Sequence, residues 1–343
     1  MKKLLLISGL VISGLVISAF ADAQENCGFP VSLLKSGFEA GEQQPLVVLP
    51  IDGTPLSINI VSPIEGATIP ANRLQLYGSL TGPANIGVMV NGELALANAA
   101  QFSTRPILLE PGTQTITVIL KNLDGVSISA TRNVTVTPSL GADVELIAAS
   151  TGGYAPQTIP FKLITRLPAA QTTVARVQVD YQGDGSFEVD STNAATPLSY
   201  AFDTPGAYLA LARVSFDDGD PMTPLVVREG KYRLQIQSLA FARQTLCGLY
   251  YGMKQRLIAG QIPLALNTLG LRIRPQFQTF WTSLGSNLAT VAASLGQVTI
   301  GQISDVSAEF IVSIPDPARP GDFLGFPVLF TRGSDGVWRI YGM

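Results

Sequence analysis

From Leu56 onward the chain alternates apolar and polar positions in short runs separated by turn residues. Ser57-Ile58-Asn59-Ile60-Val61 alternates before Pro63, and Leu74-Gln75-Leu76-Tyr77 before Gly78. Gly87-Val88-Met89-Val90 runs into Asn91-Gly92, a pair able to take positive φ at both central positions of a tight hairpin. Phe102 to Leu109 leads to Pro111-Gly112, and Gln114 to Lys121 points Ile116, Val118 and Leu120 to one side. Asp124-Gly125 turns the chain again, and Val126 to Thr137 closes the unit. Short strands punctuated by regular turns predict a sandwich. A second strand-rich stretch opens at Val144 to Ala148 and continues through Ala175 to Asp180, Ser199 to Phe202 and Leu209 to Phe216. After Ser238 the period changes. Leu246, Leu249, Tyr250, Met253 and Leu257 fall on one helix face. Pro263 suits the first turn of a second helix. Phe277, Phe280, Trp281 and Leu284 mark a third, and Leu288, Val291 and Leu295 a fourth. Strand patterning then returns at Val298 and Ile300, Ala308 to Ile314, Phe323 to Thr331 and Val337 to Ile340.

These patterns divide the chain into a lead segment with linker character over 24–55, sandwiches over 56–138 and 142–237, and a smaller α+β domain over 238–343. The expected fold class is mainly β, with two tandem sandwiches followed by that domain. The first unit, with S-P-x-x-G, V-N-G, P-G-x-x-x-I-T-V and D-G in order, resembles a bacterial Ig-like domain. The second carries Asp180 to Glu188 as an acidic Gly-containing turn. It follows with Tyr200-Ala201-Phe202, Pro205-Gly206-Ala207-Tyr208 and Asp217-Asp218-Gly219, and resembles a PKD (polycystic kidney disease) domain. Gln182 departs from that family, which usually has an acid there. The closing strand Phe326-Pro327-Val328-Leu329-Phe330 with Asp335-Gly336-Val337-Trp338-Arg339-Ile340 resembles the last hairpin of NTF2-like (nuclear transport factor 2-like) domains.

The first residues read as an export signal. Lys2 and Lys3 precede an apolar run from Leu4 to Phe20, and two A-x-A sites end at Ala21 and Ala23. Cleavage after Ala23 is expected, leaving no transmembrane span in the mature chain. Retention as an anchor is the alternative. Export places the protein in the periplasm, at the cell surface or outside the cell. Cys27 and Cys247, the chain's two cysteines, are able to pair in an oxidising compartment. The other reading is two unpaired thiols, with Cys247 buried on a helix.

Composition narrows the chemistry. The 343 residues include no histidine, which removes Ser-His-Asp and Cys-His catalysis and imidazole metal sites. The net charge of −3 gives no basic field for nucleic acid. No P-loop, dinucleotide fingerprint, G-x-S-x-G or C-x-x-C occurs. Asp180, Gln182, Asp184 and Glu188 stand at positions 1, 3, 5 and 9 of a tight turn, a spacing that suits a calcium ion. The usual acid at position 12 is replaced by Ser191. The competing reading is a turn whose carboxylates cap backbone N–H groups. Asp217, Asp218 and Asp220 form a second acidic cluster, read as a solvated loop. Tyr200, Phe202 and Tyr208 are read as packing. Tyr250, Phe277, Phe280 and Trp281 are candidates for lining a ligand cavity between helices and sheet, as the resemblance to NTF2-like domains implies. No cofactor is expected apart from the calcium candidate. The expected function is a non-catalytic envelope or secreted protein, a binding or structural scaffold that presents its last domain to a protein partner. One alternative is a carbohydrate or surface-polymer binder, favoured by aromatics exposed on a sandwich face. The other is a small-ligand or enzymatic C-terminal domain.

Overall fold

The computed structural model describes residues 51, 53–69, 73–98, 100–137 and 142–343, without the side chains of 299 and 300. The expected export signal, most of the lead segment and Cys27 lie outside the described residues.

The first module is a sandwich of two sheets. One orders the strands Ser57–Ser62, Tyr77–Thr81, Gln101–Ser103 and Leu96–Ala97. The other orders Ala67–Ile69, Ser127–Val136, Gly112–Asn122, Ile86–Val90 and Glu93–Leu94. Ile116, Val118 and Leu120 are fully buried between the sheets with Leu76, Val88 and Phe102, so the alternation reads the inward face correctly. Asn91 and Gly92 both take positive φ, which lets two residues close the hairpin.

The second module repeats the plan. A three-stranded sheet orders Val144–Ala148, Gln157–Thr165 and Leu198–Phe202. It faces a five-stranded sheet ordering Gly152–Tyr154, Val226–Gln237, Gly206–Asp217, Thr173–Asp180 and Val189–Ser191. Val177, Val179, Val214, Phe216 and Leu234 fill the space between them.

Only Ser238 separates the last strand from helix α1, Leu239–Ile258, and its hydroxyl accepts the Phe241 N–H as the helix cap. Leu246, Leu249, Tyr250, Met253 and Leu257 are all buried, as the helical period predicts. Helices α2 (Ile262–Asn267), α3 (Arg274–Ser283) and α4 (Leu288–Ala293) follow. A four-stranded antiparallel sheet then runs in chain order through Gln297–Ile303, Ser307–Pro315, Phe323–Arg332 and Trp338–Gly342. Its buried face, with Phe310, Val312, Val328, Phe330 and Ile340, packs on α1.

The modules meet through specific groups. Gln75 of the first accepts from the Arg233 N–H at 2.7 Å and donates to the Arg233 carbonyl at 3.0 Å. The Arg233 guanidinium sits 3.5 Å from the Tyr77 ring centre. Between the first and last modules, Asn85 donates to the Trp338 carbonyl and accepts the Trp338 N–H, both at 2.9 Å. Ile51, at the end of the expected linker, is 5% exposed and packs against Gly252 of α1. That residue belongs to the C-terminal core and is not part of a free connection.

Candidate functional site

Asp180 ends its strand at 1% exposure, and its carboxylate organises the turn that follows. Oδ1 accepts the N–H groups of Gln182 and Gly183 at 3.1 and 2.6 Å, and Oδ2 that of Gly185 at 2.8 Å. Gly183 takes φ 76°, and an added Cβ would lie 2.6 Å from the Leu209 carbonyl oxygen, so glycine is required there. Glu188 accepts the Tyr181 N–H at 2.8 Å, and Asp184 accepts that of Ser186 at 2.8 Å. One oxygen each of Asp180, Asp184 and Glu188 lies within 4.8 Å of the others. The Gln182 amide nitrogen donates to the Tyr200 hydroxyl. Of the four candidate calcium ligands, the three acids therefore lie close together.

Those three carboxylates are already engaged with backbone N–H groups, which makes the turn self-sufficient. Calcium at about 5 mM, above the ~10⁻³ M Kd typical of extracellular modules, is expected to leave the melting temperature where EDTA leaves it. A rise in the midpoint would show that the three oxygens hold an ion.

The second acidic cluster is a run of local turns. Asp217 accepts from Gly219 N at 2.8 Å, Asp218 from Asp220 N at 2.9 Å, and Asp220 from Met222 N at 2.9 Å. Each side chain is spent on its own backbone, as expected of a solvated loop.

The aromatics of the second sandwich form a continuous file. Phe161, Tyr181, Tyr200, Phe202 and Tyr208 meet at successive ring-centre distances of 5.0, 5.0, 4.9 and 4.8 Å. Tyr181 and Phe202 are 1% exposed. Burial pushes the Tyr181 phenol up to about 12. These rings are packing.

The four candidate cavity residues of the last domain part company. Tyr250 is buried, stacks edge-on with Tyr251 at 5.4 Å and donates to the Gly296 carbonyl. Trp281 is buried and meets Phe277 at 5.4 Å. Phe280 is 50% exposed and lies outside the core. Positions 277 and 281 are one helical turn apart on α3, whereas 280 falls on the helix flank, and Trp281 is the one fully buried residue of that helix. Cys247 is buried on α1 and disulfide-bonded. Its expected partner, Cys27, lies outside the described residues.

The contact between the first and last modules contains groups the sequence pattern did not mark. The hairpin turn at Asp124 reaches out of the first sandwich. Its carboxylate accepts from both Arg256 terminal nitrogens at 3.1 and 3.0 Å and from the Asn267 amide at 3.0 Å. Lys121 lies 3.2 Å from Asp335, which also pairs with Arg339 at 2.8 Å. Burial works against the Asp335 charge, but the Arg339 hydrogen bonds and charge outweigh it, helped by the Val337 N–H and Lys121. The carboxyl is held down at about 2, from an ordinary 3.8. A depressed acid contributes stability above its unfolded value and loses it as pH falls through the folded one. Urea midpoints are therefore expected to report no change in this contact from pH 7 to about 4, and a loss between about 4 and 2. The sequence signals for this surface were the Asp124-Gly125 and Asp335-Gly336 turns, and both fit ordinary turns equally well.

No family model matches the sequence, and no curated protein matches it. Among solved structures it is similar to the fibronectin(III)-like modules of CbhA from Clostridium thermocellum. Identity is 13% and the TM-score 0.20, over 53% of this chain and 95% of that one. Murine CEACAM1b matches at 9% identity and a TM-score of 0.20, over 54% of this chain and all of that one. The SGBP-B protein of the Bacteroides ovatus mixed-linkage glucan utilization locus matches at 12% identity and a TM-score of 0.18. That match covers 53% of this chain and 47% of SGBP-B, so the chain spans about half of that protein. Likeness at this level carries nothing about function. By its own sheet topology the chain is a mainly β multidomain protein with two sandwiches and a smaller α+β domain.

Proposed function

We propose that this is an exported, non-catalytic binding or structural protein, in which an Ig-like and a PKD-like sandwich hold an NTF2-like domain toward a protein partner. The observation that carries this reading is where exposed aromatics lie. Among the described residues, the exposed large aromatics are Phe280, Phe326 and Tyr341, at 50, 48 and 40% exposure, and all three belong to the last domain. The sandwich rings are packed instead, which disfavours glycan stacking on a sandwich face. From Pro275 to Ser304 the chain also has no charged residue. Interface cores are poor in charge and rich in aromatics, so this composition suits a protein-binding surface. Among the described residues no helix is long and apolar enough to cross a membrane.

The test is a pull-down from cell-envelope extract with residues 24–343, compared with the same chain carrying Phe280→Ser, Phe326→Ser and Tyr341→Ser. A protein retained by the first and lost by the second, with circular dichroism unchanged, is the expected result. Equal retention by both places binding elsewhere. Retention of glycan alone by both favours the carbohydrate alternative. The isolated segment 238–343 is a poor probe, because Ile51 and Leu123 belong to its core.

A further inference from the structure

We infer that the Leu123–Asp124 hairpin tip is a latch that closes the three modules into a rigid triangle. The tip belongs by sequence to the first sandwich, yet Leu123 is 2% exposed within the core of the C-terminal domain. Beside it, Asp124 meets Arg256, whose side chain is 6% exposed. Arg256 also donates to the Leu264 carbonyl at 2.8 Å, and Asn267 donates to Asp124, so α1 and α2 are both tied to the tip. A buried guanidinium needs its carboxylate, because removing one partner leaves a desolvated charge uncompensated. The other two sides of the triangle are present as well. Gln75 and Tyr77 hold the first sandwich to Arg233 of the second, and Ser238 alone joins the second to α1. A chain that runs from module to module and then returns to the first cannot swing at its joints without opening the tip. The latch therefore sets the direction in which the last domain faces.

Hydrogen exchange on the mature full-length chain tests this. Asp124→Ala is expected to speed exchange of the amides in Arg256–Asn267 on the order of 100-fold, leave Ile116 and Val118 protected, and increase the radius of gyration in solution scattering. Equal loss at Ile116 and Val118 would mean that Asp124 serves its own sandwich, and unchanged exchange at Arg256–Asn267 would mean the tip does not bear the contact. Either result overturns the latch. The second variant pairs Asp124→Leu with Arg256→Met. Two sites acting as one latch give a double variant that exchanges no faster than Asp124→Ala, whereas additive effects of the two single changes would show independent roles.

Discussion

Asp180→Ala is expected to lower the stability of the second sandwich by about 3 kcal/mol, read as a fall in the urea midpoint with little change in slope. The carboxylate is almost wholly buried and accepts three backbone N–H groups across five residues. Each charge-assisted hydrogen bond contributes about 1.5–3 kcal/mol, and each buried donor left unpaired costs about 1–3 kcal/mol. Exposure of the turn beyond Gln182 lets water satisfy some of those donors, which holds the total near the lower end. The loss is still large beside the ~5–15 kcal/mol that holds a typical domain. Asp180→Asn keeps one acceptor oxygen and is expected to recover about half. A change in Asp180→Ala within about 0.5 kcal/mol would show that the two glycines alone shape the turn.

Gly87→Ala is expected to separate the first and last modules, though it adds only one methyl group. A Cβ at Gly87 would stand 1.8 Å from the Asp335 carbonyl oxygen and 2.8 Å from the Gly336 carbonyl carbon. Both are backbone atoms in a turn pinned by the Asp335–Arg339 pair, so neither can yield cheaply. The reciprocal Asn85–Trp338 hydrogen bonds lie two residues away and would open with the contact. The expected loss is about 3 kcal/mol, at the upper end of the range for an overpacked site. It is confined to docking, so each module should keep its own circular dichroism. Combining Gly87→Ala with Asp124→Ala should cost little more than either alone, because both open the same surface. A fully additive pair would place Gly87 in the stability of its own sheet.

The local patterns carried far in this chain. The alternation of Ile116, Val118 and Leu120 and the helical spacing from Leu246 to Leu257 each predict buried faces that the structure places in two different cores. The Asn91-Gly92 hairpin follows from residues that tolerate positive φ. Each of these signals is set within about a dozen residues, where period and turn chemistry act directly. The acidic turn was legible as a cluster, but the partners of its side chains were not. Spacing could place Gln182 beside Asp180, yet only the packed sandwich could bring Tyr200 within its reach. The exposure of Phe280 was hidden for a similar reason. A helix face is defined by what covers it, and α3 is covered along the Trp281 side.

The sequence by itself determined the module order, the strand and helix periods, the absence of histidine chemistry and the turn residues, because these depend on neighbours along the chain. The tertiary structure alone decided that the modules interlock. Asn85 and Trp338 lie 253 positions apart, and Asp124 and Arg256 132 apart, so no local period records their meeting. An Asp-Gly turn in solvent and one pressed into another domain's core read the same in sequence. Their difference is the buried arginine waiting on the far side.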